Sequence, residues 1–344
     1  MLICSSCSSI YRFSIDVQEP APVTLPVAAQ NVLILNNTVV QPNDYGIERI
    51  YEGQPIRSDY PLSMDSMVWS AIDEIAAVLS ESNFFNKVAI YGKRKPLRTD
   101  SDWLSLTYLS PKQQYDFYDT ENFDALLVIE QLLFSIKEDV KKIKTEDSYS
   151  DIAATVNLRG DGIIICSMYT YEKEKPLITV RFSDSLYSKS LSDNDSLILF
   201  KAFPEYFLNE LSFVLGNKAA NCFVPSWKTE ERILFVSYNP RMQEAVGYAA
   251  DRQWTNAEST WVTELEKKTK PVDKAKIAFN LAVTNEMRDK FEPALEWAQK
   301  AKEYLKDADK DKNSQEIELT DKYISELERR IQNNQLLDLQ WGKE

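Results

Sequence analysis

The sequence predicts an α/β domain with a mixed-sheet sandwich, followed by an all-α domain of helical repeats. Its length of 344 residues suits about two domains. In the first part, apolar runs typical of strands alternate with helical stretches, and a series of strands follows. In the second part, one pattern of small residues occurs twice at helical spacing. With 44% hydrophobic residues, each part can bury a core of its own.

The repeated pattern lies between residues 242 and 305. In its second copy, small residues recur at Ala282, Ala294, Ala298 and Ala301. The equivalent residues of an upstream copy are Ala245, Tyr248, Ala257 and Trp261. A helix-turn-helix unit needs small side chains where its two helices cross closely, and this spacing is that of tetratricopeptide repeats. Residues 239–344 are therefore predicted to form a tetratricopeptide-like domain for protein–protein interaction.

A binding face can be assigned on the first helix of the second repeat. Leu281 and Ala282 are expected to pack inside, which leaves three polar residues for the opposite face: Asn280, Thr284 and Asn285. Side chains of this kind can hydrogen-bond the backbone of an extended peptide. The alternative interpretation is that these three side chains are simply solvated.

Composition excludes several classes of function. Lys and Arg total 40 against 53 Asp and Glu, and the net charge of −13 would repel nucleic acid and anionic lipid head groups. The chain has no histidine, which removes Ser-His-Asp and Cys-His catalysis and most transition-metal sites. Its eight glycines form no phosphate-binding loop. We expect no catalytic residues, no metal and no cofactor.

The first seven residues allow two interpretations. Ser5 and Ser6 precede Cys7, as small residues do at the end of a bacterial lipoprotein signal; alternatively, Cys4 and Cys7 form a redox or metal-binding pair. We interpret residues 1–7 as a shortened signal with Cys7 as the lipidated residue. No apolar run approaches the ~20 residues of a membrane span. A membrane is therefore expected to hold the chain only through lipid.

The remaining boundaries follow from periodicity. Residues 8–28 are predicted to be an edge strand, with Tyr11 and Val17 on its apolar face, and a proline-rich connector. Residues 29–195 form the α/β domain, in which the stretch from Pro42 to Pro61 is expected to be a loop. A hairpin turn is predicted at residues 159–162, which spell an RGD tripeptide followed by glycine. Residues 196–238 form a connecting segment, whose helix is capped by Asp195 and is expected to end at Gly216.

Other clusters have ordinary explanations. Asp307, Asp309, Asp311 and Glu318 are spaced as in a calcium loop, but Lys312 stands where that loop requires glycine, so a solvated acidic loop is expected. Cys166 and Cys222 can form a disulfide in an oxidising compartment or remain buried thiols, and buried thiols are the commoner outcome.

Three stretches also resemble a known family. These are the proline-rich segment from Pro20 to Pro26, the strand that begins at Val32 with Gln41-Pro42 after it, and the repeat helix that begins at Ala278. They look like those of an uncharacterised family of tetratricopeptide lipoproteins from the outer membrane of Gram-negative anaerobes. The resemblance implies an N-terminal signal and lipid on Cys7. It implies no reaction, because the family has no established activity.

The sequence thus predicts a lipid-anchored outer-membrane protein that faces the periplasm and docks an envelope protein or peptide. Surface-exported lipoproteins of such anaerobes resemble one another in having acidic residues after the lipidated cysteine, and residues 8–12 contain none. The alternative is a glycan-binding or hydrolytic envelope protein with a carboxylate site in the α/β domain. That site would lie on the loop from Pro42 to Pro61 or between the sheet and the repeats.

Overall fold

The computed structural model describes residues 9–42, 45–56, 63–92, 95–144, 152–171, 174–192, 203–306 and 312–343. The chain forms two compact units. The α/β unit comprises residues 21–225, and the helical unit combines residues 1–20 with residues 226–344. An N-terminal α/β domain with a mixed sheet and a C-terminal helical domain are therefore present, as predicted. The boundaries differ from those expected. The edge strand belongs to the helical unit, and the expected connecting segment 196–238 is divided between the two units at Ser226.

The strands are β1 (Ser9–Glu19), β2 (Asn31–Asn36), β3 (Ile47–Tyr51), β4 (Gln54–Pro55), β5 (Lys87–Ile90), β6 (Ala125–Lys144), β7 (Ile152–Thr170), β8 (Ile178–Ser192) and β9 (Ser226–Val236). The helices are α1 (Met64–Glu81), α2 (Pro111–Glu121), α3 (Phe203–Ala220), α4 (Pro240–Ala250), α5 (Trp254–Lys267), α6 (Pro271–Glu286), α7 (Phe291–Leu305) and α8 (Ser314–Gln340).

The sheet of the α/β unit is organised around the long strand β6. Along one edge of β6 lie β2 and β3, both parallel to it, while β7 pairs antiparallel along the other edge. β5 extends the sheet beside β2, β4 beside β3, and β8 beside β7. Helix α2 covers one face through Phe117, which packs with Leu33 and Val128. Helices α1 and α3 pack on each other, and α3 also contacts β7 and β8.

Local signals explain the start of α2. Ser110 accepts a hydrogen bond from the backbone of Gln113, whose side chain accepts one from the backbone of Ser110, and Pro111 occupies the first helical position. This arrangement is a capping box, with proline at the first helical position. Ser63 precedes α1, but its side chain makes no capping hydrogen bond.

The predicted hairpin turn at residues 159–162 is wrong. These residues lie inside β7, which continues through Gly160 and Gly162 without a turn. A Cβ atom at Gly160 would lie 2.8 Å from the ring of Phe207, and one at Gly162 would lie 2.7 Å from Leu215. The glycines therefore let α3 approach the strand closely, and the tripeptide is part of a sheet.

Two further expectations need correction. Pro42 to Pro61 is not all loop, because β3 and β4 lie within it. Gly216 does not end a helix, since α3 continues to Ala220. A Cβ atom at Gly216 would lie 2.6 Å from the carbonyl oxygen of Ala71, so this glycine allows α1 and α3 to cross closely. Asp195 lies outside the described residues.

The helical unit combines an antiparallel ribbon with a row of helices. Strands β1 and β9 pair over their full length, from Ser9 opposite Val236 to Glu19 opposite Ser226. Helices α4 to α8 contact one another in chain order. The alanines that carry the repeat spacing are fully buried in the core of this unit: Ala245, Ala257, Ala282, Ala294, Ala298 and Ala301. The apolar face of β1 packs on the same core through Tyr11 and Phe13, as its alternation predicts.

Candidate functional site

The three predicted binding residues are not on an exposed face. Asn280 and Thr284 are fully buried, and Asn285 is 3% exposed. The hydroxyl of Thr284 donates to the carbonyl oxygen of Asn280, and the amide of Asn285 donates to that of Leu281. The expectation of a free polar face on α6 is therefore wrong, because the ribbon of the same chain covers this helix.

Asn280 shows how that covering works. Its side-chain oxygen accepts from the backbone nitrogen of Phe235 at 2.8 Å, and its side-chain nitrogen donates to the carbonyl oxygen of Phe235 at 2.9 Å. Phe235 lies opposite Ile10 in the ribbon. Because its backbone groups bond Asn280, the pair formed by Phe235 and Ile10 is a pair without mutual hydrogen bonds. The outward edge of β9 is thus identified.

Alternation along the strand extends this result. If Phe235 points its backbone groups outward, then so do Ile233, Glu231 and Thr229, whereas the intervening residues bond β1. One contact supports this assignment independently: the Arg232 side chain donates to the carbonyl oxygen of Glu231 at 3.1 Å. The N–H and carbonyl groups of the edge from Thr229 to Ile233 therefore face away from the ribbon.

A groove of about 330 Å³ runs beside this edge. One wall is formed by residues 228–233 of β9, and the other by Leu319, Lys322, Tyr323 and Glu326 of α8. Phe279 and Val283 of α6 also line it. We call this space the β9 groove. It combines backbone hydrogen-bonding groups on one side with apolar and charged side chains on the other.

A buried ion cluster fixes the position of β9 against the helices. Arg232, whose side chain is 2% exposed, makes two 2.8 Å contacts with the fully buried carboxylate of Glu286. Tyr323 donates to the same carboxylate at 2.6 Å, and Arg330 also pairs with it. Glu230 accepts from Arg232 at 2.9 Å. Strand β9 and helices α6 and α8 are joined through this cluster.

The pKa values of the cluster follow from competition between burial and pairing. Burial alone would raise the pKa of Glu286, but hydrogen bonds from Arg232 and its charge outweigh burial, and the net pKa is lowered. Burial alone would lower the pKa of Arg232, yet its hydrogen bonds and charge interaction with Glu286 raise it. Both groups are therefore ionised at neutral pH. The cluster is a structural anchor with no proton to exchange.

Charges at the rim of the groove are unequally paired. Arg12 pairs with Glu231, and Lys228 lies 3.4 Å from Glu230. Glu326 lies 3.1 Å from Arg232. Lys322, which is exposed, makes no ion pair with any residue in the described parts of the chain. The acidic groups of the rim are thus neutralised, whereas Lys322 offers a positive charge.

The α/β unit buries one carboxylate at a bulge of its central strand. Glu130 falls where the register of β6 against β7 shifts, and it is 1% exposed. It accepts hydrogen bonds from Asn37 at 2.7 Å and from Tyr169 at 3.1 Å. Burial raises the pKa of Glu130, which these hydrogen bonds only partly oppose. Asn37 also donates to the carbonyl oxygen of Thr107 at 2.6 Å, so the network holds the segment that covers it.

A pocket of about 260 Å³ lies elsewhere in this unit. Its aromatic lining comprises Tyr118, Phe123 and Tyr171, and Asp124 contributes a carboxylate. One oxygen of Asp124 accepts from the backbone and side-chain nitrogens of Asn31 at 3.0 and 2.6 Å. The rings of Tyr118 and Tyr171 meet edge to face at 5.4 Å. The pocket is therefore an aromatic site with one oriented carboxylate.

The remaining predicted sites involve cysteines and an acidic loop. Cys166 and Cys222 are free and buried, so they do not form the disulfide considered from the sequence. Burial raises the pKa of the Cys166 thiol. Cys7 and the aspartates at positions 307, 309 and 311 lie outside the described residues. Within the described ranges, no group of three potential ligands is placed to hold a metal ion.

Sequence reasoning missed the groove because a strand edge has no sequence motif. One signal existed: Arg232 directly precedes the apolar run from Ile233 to Val236, and by alternation it falls on the same inward face as Leu234. A charged residue at an inward position indicates a buried partner. That partner, Glu286, is 54 residues away in the chain.

These features define a protein with an α/β unit and a helical unit that carries a ribbon and a groove. The chain belongs to the family described as "Domain of unknown function (DUF8603)", whose model matches residues 29–235. A second model, "Domain of unknown function (DUF6340)", matches residues 243–329. Among curated proteins, none matches the chain.

Several solved structures are similar to part of the chain. Protein XCC0632 from Xanthomonas campestris is 12% identical with a TM-score of 0.25, over 59% of this chain and 87% of its own. A putative neuraminyllactose-binding hemagglutinin homolog from Helicobacter pylori is 10% identical with a TM-score of 0.26, over 58% and 88%. Lipoprotein GNA1162 from Neisseria meningitidis is 15% identical with a TM-score of 0.19, over 56% and 99%.

Proposed function

We propose that this chain is a docking protein of the cell envelope whose helical unit binds another protein in the β9 groove, without catalysis. The observation that carries the proposal is the groove itself, where an open strand edge faces Leu319 and Tyr323 across about 330 Å³. Surfaces that combine backbone groups with an apolar wall suit a polypeptide ligand. The buried ion cluster keeps both walls of the groove in place before a partner arrives.

We further propose that helices α4 to α7 are two tetratricopeptide-like repeats. The support is that α4 contacts α5 and α6 contacts α7, with fully buried alanines at the positions that the repeat spacing requires. The inner surface of such an array ordinarily accepts a peptide. Here the ribbon of the same chain lies on α6 through Asn280, which moves the proposed docking position to the adjoining β9 groove.

Location is part of the same proposal. We place the chain at the outer membrane, facing the periplasm, with lipid on Cys7 as its only membrane attachment. None of the described helices is long and apolar enough to cross a membrane. Expressed behind a complete lipoprotein signal, Cys7→Ser should move the protein from washed membranes to the soluble periplasmic fraction, whereas Cys4→Ser should leave it bound. A Cys7→Ser protein that stays in the membranes would contradict the lipid anchor.

Site-specific photocrosslinking in the envelope tests the docking role. A photoreactive amino acid replaces Lys322 at the groove in the full chain, and a matched chain carries it at Gln299, an exposed residue of α7 outside the groove. We expect a saturable adduct with one polypeptide segment from position 322 only. Leu319→Glu, which places a charge on the groove wall, should remove that adduct. Equal adducts from both positions would overturn the proposal.

A second candidate function rests on the aromatic pocket of the α/β unit. Aromatic rings that stack on an apolar face, together with a carboxylate that accepts from hydroxyl groups, suit a single sugar ring. With one carboxylate in the pocket, binding fits the site better than the two-carboxylate chemistry of glycoside cleavage.

Saturation-transfer NMR with glucose and N-acetylglucosamine as probes tests this second candidate. Tyr171→Ala should abolish transfer, whereas Tyr187→Ala, which removes an equally exposed ring outside the pocket, should not change it. Absence of transfer to the wild-type protein would remove the candidate.

A further inference from the structure

We propose that the β9 groove receives an extended segment of the partner, which pairs with the outward edge of β9 as a third strand. This inference rests on the proposed docking function and specifies the form of its ligand. The ribbon of β1 and β9 has only two strands among the described residues. A two-stranded ribbon is marginal by itself, and a third strand would extend its hydrogen-bonded ladder.

Two points on the outward edge of β9 are already occupied by side chains of the same chain. At one end, Asn280 takes up the N–H and carbonyl groups of Phe235. Within the edge, Arg232 occupies the carbonyl oxygen of Glu231. The N–H and carbonyl groups of Thr229 and Ile233 and the N–H of Glu231 remain directed outward, and these residues line the groove. The edge from Thr229 to Ile233 spans about 17 Å, the length of an ordinary strand.

The opposite wall determines the side chains of the ligand. In a strand, alternate side chains point to the same face, so every second residue of an added strand would face α8. There it would meet Leu319 and the ring of Tyr323, with Phe279 nearby. These contacts suit apolar side chains, so the segment has apolar residues at alternate positions.

Charge defines one further position. Glu230, Glu231 and Glu326 are each paired with a basic residue. Lys322 lies on the same wall without an ion-pair partner in the described residues. An acidic side chain within the segment would neutralise Lys322, and its interaction is local because charges are screened within about 8 Å at physiological salt. The occupant is therefore an extended segment with alternating apolar residues and an acidic residue.

A proline substitution separates strand pairing from other docking modes. Proline at position 231 removes an outward N–H without removing a bond between β9 and β1, and edge strands tolerate proline. Glu231→Ala keeps this N–H and loses the same side chain, so it is the matched control. The probe is a synthetic peptide of seven alternating valine and threonine residues with glutamate at its centre. We expect Glu231→Pro to weaken its binding by about tenfold relative to Glu231→Ala, as loss of a backbone hydrogen bond in a closed site predicts.

The melting temperature of each variant shows whether the ribbon is intact. If Glu231→Pro unfolds the ribbon, the charge at Lys322 still tests the inference. The wild-type chain should prefer the glutamate peptide over one with lysine at its centre, and Lys322→Glu should reverse this preference. Equal binding of both peptides by both chains would overturn the proposed pairing.

Other outcomes distinguish this inference from the docking proposal. If position 322 crosslinks to a partner but Glu231→Pro and Glu231→Ala bind it equally, docking stands and strand pairing is wrong. If position 322 yields no adduct, the docking proposal itself fails. If the wild-type chain is a dimer that Glu231→Pro converts to a monomer, the occupant is a second copy and the assignment to a partner is overturned.

Discussion

The side chain of Asn280 binds both backbone groups of Phe235, with hydrogen bonds of 2.8 and 2.9 Å. The planar amide of asparagine has an acceptor oxygen beside a donor NH2 group, so it can match the N–H and carbonyl groups of one strand residue. Asn280 thus acts on the edge of β9 as a neighbouring strand would. The proposed ligand would continue that pattern toward Thr229.

The first prediction concerns this pair of hydrogen bonds. Asn280→Ala leaves the N–H and carbonyl groups of Phe235 buried without partners, and each such group costs about 1–3 kcal/mol. We expect the free energy of unfolding of the helical unit to fall by about 2–6 kcal/mol. Asn285→Ala is the control, because its amide donates to Leu281 within its own helix and its loss should cost less. Chemical denaturation measures both, and equal losses would show that Asn280 has no special role.

A second prediction concerns the buried carboxylate of Glu286. Its lowered pKa means that the ionised form stabilises the fold above the pKa of the unfolded chain, and this contribution is lost as pH falls through the folded pKa. Glu286→Gln leaves Arg232 and Arg330 without that charge, which should cost about 3–5 kcal/mol at neutral pH. The variant should also lose less stability on acidification than the wild type.

Glu326→Gln provides the comparison for that experiment. Glu326 also pairs with Arg232, but its side chain is 28% exposed, so water screens this interaction and the loss of the charge costs little. Its unfolding curves at neutral and acidic pH should stay close to those of the wild type. A Glu286→Gln protein that behaves like Glu326→Gln would contradict the anchoring role of the cluster.

A third prediction concerns Glu130, whose contribution to stability changes with pH in the opposite direction to that of Glu286. The raised pKa of Glu130 means that the protonated form stabilises the α/β unit below the pKa of the unfolded chain, and this contribution is lost as pH rises through the folded pKa. Glu130→Gln has no proton to lose, so the α/β unit should keep its stability above that pH. Urea denaturation at acidic and mildly alkaline pH measures the difference. If Glu130→Gln is less stable than the wild type at alkaline pH, the site favours the carboxylate form of Glu130, and the prediction is wrong.

A fourth prediction compares two glycines. Gly162→Ala places a Cβ atom 2.7 Å from Leu215, and overpacking of this kind should lower stability by about 1–3 kcal/mol. Gly247 lies inside α4, and no described atom outside the backbone of its own helix lies within 4 Å of the Cβ position, so Gly247→Ala should raise stability by up to about 1 kcal/mol. Thermal unfolding of both variants checks the signs. A neutral Gly162→Ala would mean that α3 does not approach β7 as closely as described.

Local features of the fold could be predicted from the sequence. The alternation of Tyr11 and Phe13 identifies an edge strand, and the capping box of Ser110 and Gln113 marks the start of α2. Both depend on interactions between residues close in the chain. The pairing of β1 with β9 joins residues more than 200 positions apart, and no local pattern specifies it.

The candidate site could not be predicted for a related reason. Asn280, Thr284 and Asn285 are polar, so the sequence suggests a solvated face, whereas hydrogen bonds satisfy all three inside the fold. Polarity predicts exposure only when no buried partner exists, and the partner of Asn280 is a backbone segment 45 residues away. A separation of 54 residues likewise concealed the pair of Arg232 and Glu286 that positions the groove.

The claim that the β9 edge receives an extended segment is tested most directly by residue-resolved amide hydrogen exchange. In the free full chain, the outward amides of Thr229, Glu231 and Ile233 should exchange faster than the inward amides of Lys228, Glu230 and Arg232, which bond β1. Saturation with the glutamate-containing peptide should slow the three outward amides to the rates of their neighbours. Outward amides that exchange no faster than the inward ones, or that the bound peptide leaves unchanged, would contradict strand pairing at this edge.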